Sequence, residues 1–227
     1  MAQRMEGGCM LTVYGVYQSR ASRVYWAALE LGLDFQSVPV IQTRRLPQPV
    51  APDAPIHTHA AEFLAINPNG HIPAIADDGL VIDESLAITL YLARKHGGPI
   101  AADTLREEGE ILAWTFWAAT EVEPHTVKIV FAYDDGLEAT EGGRETLSVA
   151  RRMLKRPLTR LNDHLGENDY LTGGRFTVAD LNAVEIIRYA LSETEFMANY
   201  PAILAWVERC HDRPAFREMM ARRSAEG

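Results

Sequence analysis

Cysteine is nearly missing from this chain: Cys9 and Cys210 are the two among 227 residues. That is too few for a disulfide scaffold and points to a reducing, cytoplasmic compartment. Positive charge is also scarce, with 22 Lys and Arg against 31 Asp and Glu and a formal charge of -9. Such an acidic chain lacks the basic face of a nucleic-acid partner, and the pairs Arg151-Arg152 and Arg222-Arg223 read as solvated helix faces. No apolar run approaches the roughly 20 residues that a membrane helix needs. The apolar stretch over 10–16 is short and is followed at once by Gln18-Ser19-Arg20, so no signal peptide is expected. A GxSxG elbow and a GxxxxGK[ST] phosphate loop are absent. His57-Thr58-His59 and Glu121 with His125 come without the further His or Cys of a zinc site, and no metal is expected.

What is present is ordinary for a folded core: 47% hydrophobic and 23% charged residues. Residues 1–10, with Cys9, read as a disordered extension. A strand over 11–16, a helix over 21–31 ended by Gly32, and a strand over 35–40 make a β-α-β unit with parallel strands. A helix over 60–66, strands over 73–76 and 80–82 joined by Asp77-Asp78-Gly79, and a helix over 84–95 complete an α/β domain at 11–95. His96-Gly97-Gly98-Pro99 breaks the pattern and opens a linker over 96–104. From 105 to 227 helical periodicity dominates: Leu147, Leu154, Leu158, Leu161 and Leu165 share one face, and Pro157 predicts a kink. Thr177 with Asp180 forms a capping-box-like helix start.

Two segments carry the most information. In Asn67-Pro68-Asn69-Gly70-His71-Ile72-Pro73-Ala74-Ile75, Asn-Pro and Asn-Gly make a tight turn, and Pro73 opens a strand. An X-Pro bond there can be cis, which would turn the Ile72 N–H and C=O toward an extended ligand. At Asp83-Glu84-Ser85 a helix begins; its free N–H groups and positive dipole end suit a carboxylate, and Glu84 suits an ammonium. Together the two segments suit the backbone and the α-amino-acid end of a small peptide.

NPNGHIPAI, DESLAITLYL, RFTVADLNA at 175–183 and the opening LTVYGVYQSRASRVYWAALELGLDF resemble the corresponding motifs of the soluble (cytosolic) glutathione S-transferases, in a bacterial-like, serine-type form. The resemblance runs from about Leu11 to about Phe216. It implies an α/β thioredoxin-like N-terminal domain with an all-α C-terminal domain, glutathione as co-substrate, and a homodimer. The implied glutathione site comprises Ser19, His59, His71, Ile72, Pro73, Glu84 and Ser85, with His59 near the glycine carboxylate. Thr177 and Asp180 are assigned to folding. The segment over 42–58, TRRLPQPVAPDAPIHT from 43, is longer than the resembled family usually has. Pro47, Pro49, Pro52 and Pro55 stiffen it and exclude a helix or central strand; it is either a lid near the glycine end of glutathione or a solvated insertion.

The chemistry expected is thiol activation. A free thiol has a pKa near 8.5, so lowering it by about one to two units raises the thiolate fraction roughly tenfold or more at neutral pH. Ser19, between the first strand and the first helix, can donate to sulfur beside a helix N-terminus, and it matches the activating serine of the serine-type classes. It can also simply cap the helix, as can Ser22. Tyr14 is the alternative and Tyr17 a weaker one, and Arg20 reads as exposed. Trp114, Trp117, Glu121 and His125, with Tyr133, lie on or near a long helix from about 104, from which the resembled family lines its electrophile pocket. The expected function is attack of the glutathione thiolate on a small apolar electrophile. The alternatives are a non-catalytic glutathione or ligand-binding module and a protein-interaction domain of the same fold.

Overall fold

The computed structural model describes residues 10–226; the expected extension, apart from an exposed Met10, lies outside the described residues. Contacts divide the chain into two compact units, one running up to Gly98 and resuming at Pro214, the other Pro99–Arg213. The expected helical domain at 105–227 thus loses its last helix to the N-terminal unit.

In the first unit β1 (Leu11–Tyr14) buries Leu11 and Val13 and turns Thr12 and Tyr14 to the other face, the two-residue period of a strand. α1 (Ala21–Glu30) buries its first eight residues, Ala21 to Ala28, and gives way at Gly32, where φ is +62°. β2 (Phe35–Val38) pairs with β1 in parallel, with Leu11 opposite Phe35. After α2 (Ala61–Leu64) come β3 (Ala74–Asp77) and β4 (Leu80–Asp83), both antiparallel to their neighbours, in the order β2-β1-β3-β4. The β3–β4 turn places Asp78 and Gly79 at φ of 49° and 82°, the two positive angles that match the twist of a tight hairpin. α3 (Ser85–His96) packs on α1, and Phe63 of α2 meets Tyr14 on the other side of β1.

The segment over 42–58 is tied at its neck. Ile41 bridges His57, and Thr43 Oγ1 lies 3.1 Å from His57 Nδ1 and 2.9 Å from Thr58 Oγ1. Where no helix was expected, Thr43–Arg45 forms one short 3₁₀ turn, upstream of the prolines that exclude helix further on.

The second unit is helical: α4 (Leu105–Trp117), α5 (Glu123–Asp134), α6 (Glu141–Glu167), α7 (Val178–Ile187), α8 (Thr194–Met197) and α9 (Pro201–His211). Leu147, Leu154, Leu158, Leu161 and Leu165 are buried along α6, which passes through the buried Pro157 without ending. α7 is buried along its whole length. Thr177 and Asp180 close its capping box, and Asp180 also accepts from the Leu171 N–H and the Trp206 indole, both at 2.9 Å. α10 (Pro214–Ala225) returns to the first unit and packs on α1, with Phe216 edge-on to Trp26 at 4.8 Å. Among the described residues no helix is long and apolar enough to cross a membrane.

Candidate functional site

The Asn67–Gly70 turn is closed by its own side chains. Asn67 accepts from the Asn69 N–H at 3.1 Å and donates to the His71 carbonyl at 2.8 Å, while the Gly70 N–H reaches the Asn67 carbonyl at 3.0 Å. At Gly70 φ is +62°, and a Cβ would stand 3.0 Å from the Thr58 carbonyl oxygen and 3.7 Å from the His59 ring. That contact brings His59 to the turn. Both His59 and His71 are exposed. Asn69 also donates to Asp83 at 2.7 Å, which fixes the turn against the end of β4. The Ile72-Pro73 bond is cis, and Ile72 packs against Val40, Phe63 and Ala74.

At the start of α3, Glu84 takes φ 68° and ψ 105°, and no side chain caps the helix. A non-glycine residue there costs of order 1–3 kcal/mol and persists only when its surroundings impose it. The Glu84 side chain is exposed. Ser85 is buried, and its Oγ accepts from Arg23 Nη1 at 3.0 Å. A hydroxyl has one proton and two lone pairs, so a guanidinium filling a lone pair leaves the Ser85 O–H to donate. With the uncapped first-turn N–H groups, the start of α3 presents donors of the kind that suit a carboxylate.

Ser19 is held just before α1. Its Oγ accepts from the Ala21 N–H at 3.0 Å and donates to the Val16 carbonyl at 2.7 Å. Ser19 is therefore a helix cap and also the hydroxyl at the strand-to-helix junction. Gly15 joins this junction to the Ile72-Pro73 turn: φ is +150°, and a Cβ would stand 2.8 Å from Ala21 Cβ, 3.6 Å from Ile72 Cβ and 3.8 Å from Pro73 Cα. Tyr14 lies 6.4 Å from Phe63 between ring centroids, packed with the cluster of Val40, Phe63 and Ala74. Tyr17 is buried and stacked on Tyr25 at 3.8 Å.

Trp114, Trp117 and Glu121, spaced i, i+3 and i+7, all meet α6, at Arg160 and Arg156, which stand one turn apart. The expected long helix is interrupted by a π-helical turn, Ala118–Val122. Pro124 follows; it cannot donate to the Thr120 carbonyl, and its ring crowds that carbonyl, so the regular ladder opens. Trp114 and Trp117 meet edge to face at 5.1 Å, with the Arg160 guanidinium 4.9 Å and 5.5 Å from their centroids. Glu121, within that turn, pairs with Arg156. His125 keeps a buried Nδ1 with no hydrogen-bond partner among the described residues, and burial, then Lys128, lower its pKa. Tyr133 donates to the buried Glu193 at 3.0 Å. Among the described residues no three His, Cys, Asp or Glu side chains gather as a metal site.

Residues 19–95 match the glutathione S-transferase N-terminal domain, and residues 119–214 match the C-terminal domain. Glutathione S-transferase 3 of Zea mays is 31% identical, over 93% of this chain and 93% of its own length. The chain belongs to the glutathione S-transferase family. Its fold is that of the crystal structure of glutathione transferase F7 from Populus trichocarpa, with a TM-score of 0.81 at 28% identity over 94% of this chain and 99% of that one. Elongation factor 1-gamma of Danio rerio is 29% identical over 70% of this chain and 35% of its own length. These relatives establish the family and leave its bacterial-like, serine-type branch to the proposal below.

For this glutathione transferase, sequence reasoning missed two residues of the site. Arg23 is 1% exposed in a stretch of α1 that otherwise buries Ala, Ser, Val, Tyr and Trp. Its one signal is a charged residue within an apolar run. Gly15, directly after β1, carried the usual signal of a close backbone approach.

Proposed function

We propose that the protein is a working transferase in which Ser19 donates a hydrogen bond to the glutathione sulfur. Ile72 offers its backbone to the peptide, Ser85 and the start of α3 hold the γ-glutamyl carboxylate, and Glu84 meets its ammonium. His59 and His71 border the glycine end. Bound as thiolate, its proton released to water, the sulfur forms a bond to the electrophilic carbon as the leaving group departs with its electron pair. Supporting this reading above all is Ser19 Oγ, held by the Ala21 N–H at the start of α1 and joined through Gly15 to the Ile72-Pro73 turn. A donor into Oγ strengthens the proton that Oγ in turn donates. That proton now serves the Val16 carbonyl, so it must swing to sulfur on binding, at the loss of a neutral hydrogen bond worth about 1 kcal/mol.

The reading includes a cytoplasmic homodimer that uses no metal. The second reading is a domain that binds glutathione or a protein without catalysis. It is favoured by the committed Ser19 proton and by the elongation-factor relative.

A pH profile of turnover with a chloronitroaromatic electrophile separates the two. Ser19→Ala is expected to cut turnover by about tenfold to a thousandfold at neutral pH, to leave glutathione affinity nearly unchanged, and to recover partly at higher pH. A loss confined to Tyr14→Phe moves the role to Tyr14. A parent protein that binds glutathione without ionising it, and turns over none of a broad electrophile panel, establishes the second reading.

A further inference from the structure

The family match ends at residue 214, where α10 begins. This last helix returns to the loop that carries Ser19. Glu226, just beyond α10, accepts two consecutive backbone N–H groups, Tyr17 at 2.7 Å and Gln18 at 3.0 Å, one from each carboxylate oxygen. Arg223 donates to the Tyr17 carbonyl, and Arg222 Nη1 to the Tyr17 hydroxyl at 3.3 Å. The Tyr17 ring stacks on Tyr25, whose hydroxyl donates to the Gly15 carbonyl at 3.0 Å.

Residues 16–19 lie outside both strand and helix; the Ser19 carbonyl takes the Ser22 N–H at 3.1 Å, while the peptide groups of Tyr17 have neither ladder to bond to. Both peptide groups of Tyr17 find partners on or just after α10. Val16, whose carbonyl holds the Ser19 proton, directly precedes Tyr17, and Ser19 directly follows Gln18, whose N–H Glu226 also takes.

We propose that the end of α10 is a positioning clasp for Ser19, with Glu226 as its central residue. The proposal rests on the reading of Ser19 as the activating group. It gives Glu226 no contact with the reacting atoms: the carboxylate fixes the 16–19 turn, and the turn fixes Oγ. A displacement of about 1 Å in such a group can cost on the order of a hundredfold in rate.

Charge and position make opposite predictions. A carboxylate near a thiolate disfavours it, so an effect through charge means that removing Glu226 lowers the pKa of the bound thiol and raises turnover. A clasp means the reverse.

The experiment measures kcat, KM for glutathione, the pKa of the bound thiol and the thermal midpoint for the parent, Glu226→Ala, Glu226→Gln, Ser19→Ala and the double variant Ser19→Ala with Glu226→Ala. Glu226→Ala is expected to lose about tenfold or more in kcat with KM changed by less than about threefold, and to raise the bound thiol's pKa. Glu226→Gln, which keeps an acceptor and drops the charge, is expected to fall between it and the parent. In the Ser19→Ala background the loss from Glu226→Ala should nearly vanish, because the clasp acts through Ser19. Failure of the Ser19 reading shows in Ser19→Ala alone, as an unchanged kcat. Failure of the clasp shows as a normal loss in Ser19→Ala beside any of three results: an unchanged thiol pKa in Glu226→Ala, a lowered one, or a fall in thermal midpoint alone.

Discussion

Two helices of this protein begin in opposite ways. α7 begins closed: Thr177 and Asp180 cap each other's backbone, and Asp180 is fully buried and takes two further donors from Leu171 and Trp206. α3 begins open: Glu84 stands in strained backbone with no side-chain cap, and Ser85 has an oxygen filled by Arg23 and a proton left to give. Both starts carry an acidic residue and a hydroxyl within four positions. The difference is where the donors end. At α7 they end on the protein itself, which adds to stability; at α3 first-turn donors carry no side-chain cap, and Glu84 stands in strained backbone. Helix-start chemistry read from residue types alone therefore does not separate a closed start from an open one; the φ angle and the burial do.

The largest expected effect breaks the closed start. Asp180→Ala leaves the Leu171 and Thr177 N–H groups and the Trp206 indole without their acceptor, and is expected to cost about 3–5 kcal/mol in denaturant unfolding. A loss below about 1 kcal/mol would remove the distinction between the two starts.

The open start is tested by binding. Glu84→Ala is expected to weaken glutathione affinity in calorimetry by about 1.5–3 kcal/mol, as for a lost charge-assisted bond, while the fold persists. Glu84→Gly should bind as weakly yet unfold with about 1 kcal/mol more stability than Glu84→Ala, since glycine accepts the positive φ. Equal stability of the two variants would mean that Glu84 is not strained.

A further test concerns pH in the helical unit. Burial raises the Asp180 pKa to about 6, so between about pH 4 and 6 the folded state holds a proton the unfolded chain has released; stability from this group falls as pH rises through that window. Burial lowers the His211 pKa to about 4, so below about 6.5 the unfolded chain gains a proton the folded one refuses, and stability falls as pH drops. The two slopes oppose each other. His211→Gln should therefore gain on the parent as pH is lowered from 6.5 to 4, by about 1–2 kcal/mol after allowing for the ring's partial exposure. Parallel stability curves would refute the assignment.

The elements that sequence made legible are those governed by local chemistry. The Asn67–Gly70 turn, the Asp78-Gly79 hairpin, the Thr177 capping box and the Ser19 junction each follow from residues within a few positions of one another. What escaped depends on distant partners. Nothing near Arg23 announces that Ser85 will meet its guanidinium, and nothing near Tyr17 announces Glu226, 209 positions away. Trp114, Trp117 and Glu121 fit one helix face on paper, but nothing near them announces that Arg160 and Arg156 of α6 will cover it. α10 looked like one more helix of a bundle because its sequence names no partner; Phe216 against Trp26 does.

The neck at Ile41, Thr43, His57 and Thr58 has a consequence for what this surface can carry. Since the hydrogen bonds there already hold both ends together, residues 44–55 form a cassette whose length is nearly independent of the site beside it. The exposed Val50 at its tip, 94% accessible, is thus a graft point where a dye, an epitope or a whole folded domain could ride on this transferase while the geometry of Gly70 and His59 stays as it is.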